Sequence, residues 1–514
     1  MRGLLRGTRL ASLFLLGACS PPASPASPPA LVWARGADSS TLDPAEVEWG
    51  EDIKVARSLY ESLVSFKEGS LELEGRLATS WTVSADGKTV TFELRPGVTF
   101  HDGTPFDAET VVFSVQRLLD PRHPQRPRAA PHASNLRDVQ KVAADGPLRV
   151  VFTLHGPSNV FLQALATVTA GIVSPPAVKK HGESFGLHPA GTGPLRLSRW
   201  ERGVKIELEP FAGYWGEKPP HRVLVVPVAS PQTAVEKLRK GEVHVVDHPD
   251  LGDVRALEAG PDTRIAVQPP VNVCCLGFNL RKPPYDDLEL RRAVSLAIDR
   301  KALIEVAYHG FAEPAANVAP PLVWGDIGPA PPYEHDAARA RAIVERLPAA
   351  SRKLELIHVT IPRPYMPEPQ RLAETLKDQL VKVGFAVSLK AFDKDAYGLK
   401  TRDPGHPMFV LGWHADFPDP DNYLYPLLHG DNAGDLSGSF FKDEAFDRAV
   451  TSARGERDSA RRRDLYREAY GRYRELLPTI PLVHVRQIVA LSRRVDYPMH
   501  PLEPRLHTAR LRQP

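Results

Sequence analysis

The chain has 514 residues with 65 Lys and Arg against 62 Asp and Glu, so a formal net charge of +3 leaves no long-range positive field and argues against a nucleic-acid partner. Its length allows about two to four domains or one large discontinuous fold, and excludes a small disulfide scaffold. Hydrophobic residues at 42% and charged residues at 25% are the proportions of a globular fold, while 51 prolines imply many rigid connections.

At the N-terminus, Arg2, Arg6 and Arg9 flank and precede a short apolar run over 10–16, followed by Gly17-Ala18-Cys19. These are the parts of a secretory signal peptide over 1–18, with an apolar run too short to cross a bilayer as a helix. Leu16-Gly17-Ala18-Cys19 resembles a bacterial lipobox, which implies cleavage before Cys19 and lipid attachment to its thiol. Residues 19–30 then read as a tether, because a Ser/Pro/Ala tract cannot build a core.

Further along, Val90, Phe92 and Leu94 alternate with polar residues after the turn Asp86-Gly87, and Val98 and Phe100 follow Pro96-Gly97, which predicts a hairpin-like β region. Val111, Val115, Leu118 and Leu119 share a helical face that Pro121 stops. Ile206 and Leu208 suggest a strand. Cys274 and Cys275 lie in the apolar stretch 271–278, where strand geometry turns neighbours to opposite faces, so they read as two small buried hydrophobes. With Cys19 assigned to lipid, no spaced Cys/His framework remains, and neither a metal nor a cofactor is expected.

Leu290, Val294, Ala297 and Ile298 recur at helical spacing behind Asp286 and Asp287, whose charges suit a helix N-terminus. Leu372, Leu376, Leu380 and Val383 make a second amphipathic helix ended at Gly384, followed by a strand with Val387, Leu389 and Ala391. Tyr466, Tyr470, Tyr473 and Leu477 form a stripe that reads as core packing and ends at Pro478. Alternating strands and helices, without an internal repeat, predict a mixed α/β fold.

Linear catalytic motifs are incomplete. There is no Gly-x-Ser-x-Gly and no His-Glu-x-x-His, Thr82 replaces the upstream glycine of a phosphate loop ending in Gly87-Lys88-Thr89, and Arg196 replaces the third glycine of a dinucleotide fingerprint after Gly191 and Gly193. No catalytic residue is assigned.

Several segments in fixed order resemble the family 5 extracellular solute-binding proteins of ABC importers, of the dipeptide- and oligopeptide-binding type. They are Thr41-Leu42-Asp43-Pro44, Leu59-Tyr60-Glu61-Ser62-Leu63-Val64, the stretch from Leu77 to Pro105 with Phe100-His101-Asp102-Gly103, Gly191-Thr192-Gly193-Pro194, Tyr214-Trp215-Gly216, Phe278-Asn279, Pro283-Pro284-Tyr285-Asp286-Asp287, Arg291-Arg292-Ala293, and Gly412-Trp413-His414-Ala415-Asp416. Read for themselves, most are turns and strand ends, and His101, Trp81 and Trp215 are expected to be scaffold. The resemblance implies an α/β two-lobe fold of the type II periplasmic-binding-protein kind, with an additional subdomain and a discontinuous hinge. The expected division is lobe I at 31–58, 186–275 and 481–514, the additional subdomain at 59–185, and lobe II at 276–480.

The same resemblance implies a short peptide as ligand. A peptide's two charged ends need partners when removed from water. Asp416 matches the residue that takes the α-amine, and Gly412, Trp413 and His414 match the strand that pairs with the peptide backbone. Arg363, in Arg363-Pro364-Tyr365, matches the arginine that clamps the carboxylate in the dipeptide branch, a task suited to a planar fork. Asn279, Glu46 and His484 match further ligand-side positions, although the segment around His484 departs from the family in lacking an aromatic residue there. The implied partners are an ABC permease with its ATPase subunits and, through the lipid on Cys19, a membrane; the protein is expected to act as a monomer. Two other readings stay open: the same fold holding a nickel chelate, haem, sugar or opine, with His406, His414 and His429 near the expected site, or a secreted hydrolase or sensor domain.

Overall fold

Five sheets organise the described residues of the computed structural model, which are 30–324, 331–435, 437–502 and 504–512. The expected signal peptide, Cys19 and nearly all of the expected tether lie outside them. The largest sheet has seven strands in the order Thr263–Gln268, Gln487–Ser492, Val245–Asp247, Ala30–Arg35, Arg222–Pro227, Lys205–Pro210 and Leu195–Glu201. A six-stranded sheet runs Ala312–Pro314, Thr479–Val485, Asn272–Gly277, Met408–His414, Lys353–Val359 and Ala386–Phe392. A four-stranded antiparallel sheet is made of Ala78–Val83, Thr89–Leu94, Arg149–Leu154 and Val139–Ala144, and two short ribbons complete the set.

The chain passes between the two large sheets twice, over 269–271 and at Arg486. Both crossings correct the expected lobe boundaries. Asn272–Gly277 and Thr479–Val485 are each buried along their whole length and pair with one another inside the six-stranded sheet. Cuts at 275/276 and 480/481 would split strands that belong to one body, so the switch points move to 269–271 and 486.

The helices follow the apolar periodicity. Ala108–Leu119 starts on a reciprocal cap between Asp107 and Thr110, buries Val111, Val115 and Leu118, and ends before Pro121. Leu288–Ala297 is capped by the Asp287 carboxylate, and Pro369–Lys382 buries Leu372, Leu376 and Leu380 before Gly384 turns the chain at φ +107. Ser459–Leu476 carries the tyrosine stripe inward, with Tyr466 and Tyr473 almost fully buried. The expected β character at Val98 and Phe100 does not extend to a strand. Both side chains are buried, but the backbone closes a tight loop with only the bridge Thr99–Pro105.

Cys275 packs in the core that includes Phe92, Phe152, Tyr466 and Tyr473, and Cys274 packs in the core that includes Leu376 and Leu380 on the other side. Both thiols are free, and burial pushes Cys274 up to about 12. The first of these cores is continuous from the four-stranded sheet to the helices behind the six-stranded sheet, so those two units are in apolar contact.

Three separated motifs meet at Glu61. Its carboxylate accepts hydrogen bonds from Arg76 Nε (2.6 Å), Thr192 (3.0 Å), Tyr214 (2.9 Å) and the Trp215 indole (2.9 Å), and Arg95 stacks 4.1 Å from the Trp215 ring centre. Gly191 is required there, because a Cβ would lie 2.1 Å from the carbonyl oxygen of Leu59. These residues join the four-stranded sheet to the large sheet. His101 is scaffold too: its ring meets the Gly193 carbonyl at 3.0 Å, and burial lowers its pKa to about 4.

Candidate functional site

Strand Met408–His414 is fully paired on one edge, from Phe409 opposite Gly277 to His414 opposite Asn272. On its other edge it pairs in parallel with Lys353–Val359 through only two positions, Leu356 with Met408 and Ile357 with Phe409. Beyond Phe409 the strands part, and a cavity of about 190 Å³ opens between them. Its wall includes Val359, Ile361, Val410, Leu411, Gly412 and Trp413, and Trp49 closes it from the opposite side of the cleft, contributed by the segment that starts helix Gly50–Leu59. A strand with one unpaired edge beside a cavity offers backbone N–H and C=O groups to an extended ligand. A larger groove of about 700 Å³ lies elsewhere, walled by His101, Trp200 and Arg196, whose guanidinium is already paired with Glu209 at 2.7 Å.

Arg363 reaches the cavity from a tight turn. Its backbone N–H donates to Met366 O at 2.9 Å and its carbonyl oxygen accepts from Met366 N at 2.8 Å, and Pro362 and Pro364 restrict the backbone beside it. The guanidinium carbon stands 4.1 Å from the Trp49 ring centre, and Lys394 Nζ stands 3.3 Å from the same centre. Both are cation–π distances. No carboxylate among the described residues lies within ion-pair distance of either cation. Tyr365 of the same turn lies flat on Gly412, where a Cβ would come 2.2 Å from its ring. Tyr397 donates to the Val410 carbonyl, so one polar group of the open edge is held by a side chain.

Asp416 sits past the end of the strand. Its backbone N–H donates to Asn422 Oδ1 at 2.8 Å, which also accepts from the Trp413 indole at 3.2 Å. Its carboxylate accepts from Asn135 Nδ2 at 3.1 Å and faces His132 Nδ1 at 3.4 Å, both from the unit built on the four-stranded sheet. Burial would raise the Asp416 carboxyl, but the charge and hydrogen bond of His132 and the bond from Asn135 hold it below the usual range. Burial likewise opposes a charge on His132, and Asp416 overcomes it to raise the imidazole.

Gly412, Trp413 and Arg363 therefore share one cavity, with Asp416 just beyond its strand. The other expected residues do not line it. Asn279 is fully buried, and its amide donates to Pro404 O and His406 O, both at 2.8 Å. His484 is buried against Asn272 O at 2.8 Å, and burial lowers it to about 4. Glu46 accepts from Arg128 N at 3.0 Å near the surface. The His414 ring turns to Leu502 O at 3.2 Å; His406 is held by Pro407 O and Gly438 O, and His429 by Thr451. These three histidines do not converge, and among the described residues no group of three or more His, Cys, Asp or Glu is placed to hold a metal. Trp49, Lys394 and Tyr397 line the cavity outside any motif. Only Trp49 had a pointer, its nearness to the ligand-side segment of Glu46.

A family model described as bacterial extracellular solute-binding proteins, family 5, matches residues 72–435. The chain belongs to this family. Among family 5 relatives, the dipeptide-binding protein of Escherichia coli K12 is 31% identical over 83% of each chain, and heme-binding protein A of Haemophilus influenzae is 29% identical over 95% of each. A crystal structure of a dipeptide-binding protein from Pseudoalteromonas sp. SM9913 in complex with Met-Leu superposes with a TM-score of 0.87, at 26% identity, covering 94% of this chain and 100% of that one. The two-lobe α/β architecture expected from the sequence is thus the family 5 fold. Among the described residues, no helix is long and apolar enough to cross a membrane.

Proposed function

We propose that this family 5 protein captures dipeptides or other short peptides between its lobes, performs no chemistry on them, and hands them to an ABC permease whose ATPase subunits drive import. The observation that carries this reading is the open edge of Met408–His414 beside a cavity lined by Arg363, a cation with no carboxylate partner among the described residues. Strand addition would hold the peptide backbone without regard to side chains. Arg363 would take the C-terminal carboxylate and Asp416 the α-amine. Each charge-assisted bond contributes about 1.5–3 kcal/mol. The cavity volume of about 190 Å³ favours a small ligand, since pockets for drug-sized molecules run to about 300–1,000 Å³. In this reading the mature chain starts at Cys19 and is held at the envelope by lipid on that thiol.

The test is thermal unfolding of the mature chain, refolded to remove carried ligand, with dipeptides, longer peptides, free amino acids, Ni²⁺ and haem. A ligand at about 100 times its dissociation constant adds about 2.7 kcal/mol. Selective stabilisation by dipeptides supports the reading, and stabilisation by haem or Ni²⁺ alone refutes it. Incorporation of labelled fatty acid, abolished by Cys19→Ala, checks the anchor.

A further inference from the structure

The cavity holds two cations and no anion among its lining residues. Arg363 and Lys394 both lie against the Trp49 ring, at 4.1 and 3.3 Å from its centre, and both line the same cavity of about 190 Å³. The rest of the wall is largely apolar, with Val359, Ile361, Met366, Phe409 and Leu427. Two like charges lining one cavity repel each other, and the electron-rich ring of Trp49 offsets only part of that cost. Glu48, Asp52 and Asp395 act on Lys394 from a distance, and none is within ion-pair range. The carboxylate of a neutral dipeptide answers one of the two charges and leaves the other.

We propose that Lys394 is a specificity-determining residue that selects a second carboxylate, so that the preferred ligands are dipeptides ending in Glu or Asp. This rests on the peptide reading above. A C-terminal acidic residue carries its two carboxylates a few bonds apart, which suits two cations that line one small cavity around a single aromatic ring. Arg363 takes the α-carboxylate in its planar fork, and Lys394, a compact charge on a flexible stem, takes the side-chain carboxylate. An acidic residue at the N-terminal position would put its charge away from this pair.

The experiment is isothermal titration of the refolded mature chain with Ala-Glu, Ala-Gln and Glu-Ala, on the wild type, Lys394→Met and Lys394→Glu, with circular dichroism as a folding control. The expected result is at least tenfold tighter binding of Ala-Glu than of Ala-Gln or Glu-Ala in the wild type. That ratio should collapse towards one in Lys394→Met and invert in Lys394→Glu. Equal binding of Ala-Glu and Ala-Gln by the wild type, or a ratio that survives in Lys394→Met, overturns the acidic preference while leaving peptide binding intact. Binding of none of the three by the folded wild type overturns the peptide reading and this proposal with it.

Discussion

The two ends of the cleft meet the same requirement in opposite ways. At one end the Asp416 carboxylate is already engaged by Asn135 and His132. At the other, Arg363 and Lys394 rest on an aromatic ring with no carboxylate partner. The anion is wired into the contact between two units of the fold, and the cations are left for something else. A charge that also joins parts of the protein should reveal itself in stability as well as in binding, whereas an unpaired charge should appear in binding alone.

Substituting the two charges separates the ends most sharply. Arg363→Ala and Asp416→Ala should each weaken dipeptide binding by about 10- to 100-fold or more, from the loss of charge-assisted bonds of about 1.5–3 kcal/mol each. Only Asp416→Ala should also lower the melting temperature of the ligand-free protein, because it leaves buried His132 without its counter-charge. Calorimetry of both variants decides this, and equal melting temperatures would break the comparison.

A second probe acts on the strand between the ends. Gly412→Ala places a methyl group against the Tyr365 ring and should cost about 1–3 kcal/mol through overpacking. In a double-mutant cycle read by urea unfolding, Tyr365→Ala should recover part of that loss. At the Met408 end of the same strand, away from Asp416, Asn279→Ala should cost about 1–3 kcal/mol by leaving the carbonyls of Pro404 and His406 unpaired. Its effect on affinity should stay within twofold, since its amide points away from the cavity.

A further expected effect comes from pH. Burial disfavours the charged forms of His101, His484 and His500, lowering the first two to about 4 and the third to about 3. The unfolded chain, with its histidines near 6.5, takes up protons first on acidification. Stability should therefore fall as pH drops from about 6.5 towards 4. His132 works the other way: its raised pKa contributes stability that is complete below about 6.5 and fades as pH rises through its folded value. A melting series from pH 8 to 4.5 should fall on the acid side, and His132→Ala should flatten the alkaline side.

Much of the scaffold was legible in the sequence, and the site only in part. Periodicity located Ala108–Leu119 and Pro369–Lys382 because each buries mainly one stripe, and Leu288–Ala297 because its apolar residues recur at helical spacing although most of its surface is buried. The alternating faces of Cys274 and Cys275 followed from strand geometry. The junction at Glu61 was not legible, since Arg76, Thr192, Tyr214 and Trp215 converge on it from distant segments. Trp49 and Lys394 were missed for the same reason: a cation–π contact across a cleft leaves no local spacing. Asn279 and His484 show the reverse, because positions named by resemblance can spend their polar atoms on neighbouring backbone. The lobe boundaries were misplaced by a few residues because an apolar run does not announce which sheet it will join.

Thr479–Val485 and Gln487–Ser492 are consecutive in sequence, yet each is an interior strand of a different sheet. The first joins Ala312–Pro314 to the rest of its sheet, and the second joins Thr263–Gln268 to the rest of its own. A polypeptide emerging N-terminus first therefore carries two unfinished sheets with unpaired edges until residue 492 is free. Such long-range pairing is slow, and exposed edges invite association in the meantime. A chain cut short at Pro478 would leave both large sheets incomplete together, so one short late segment completes the two of them.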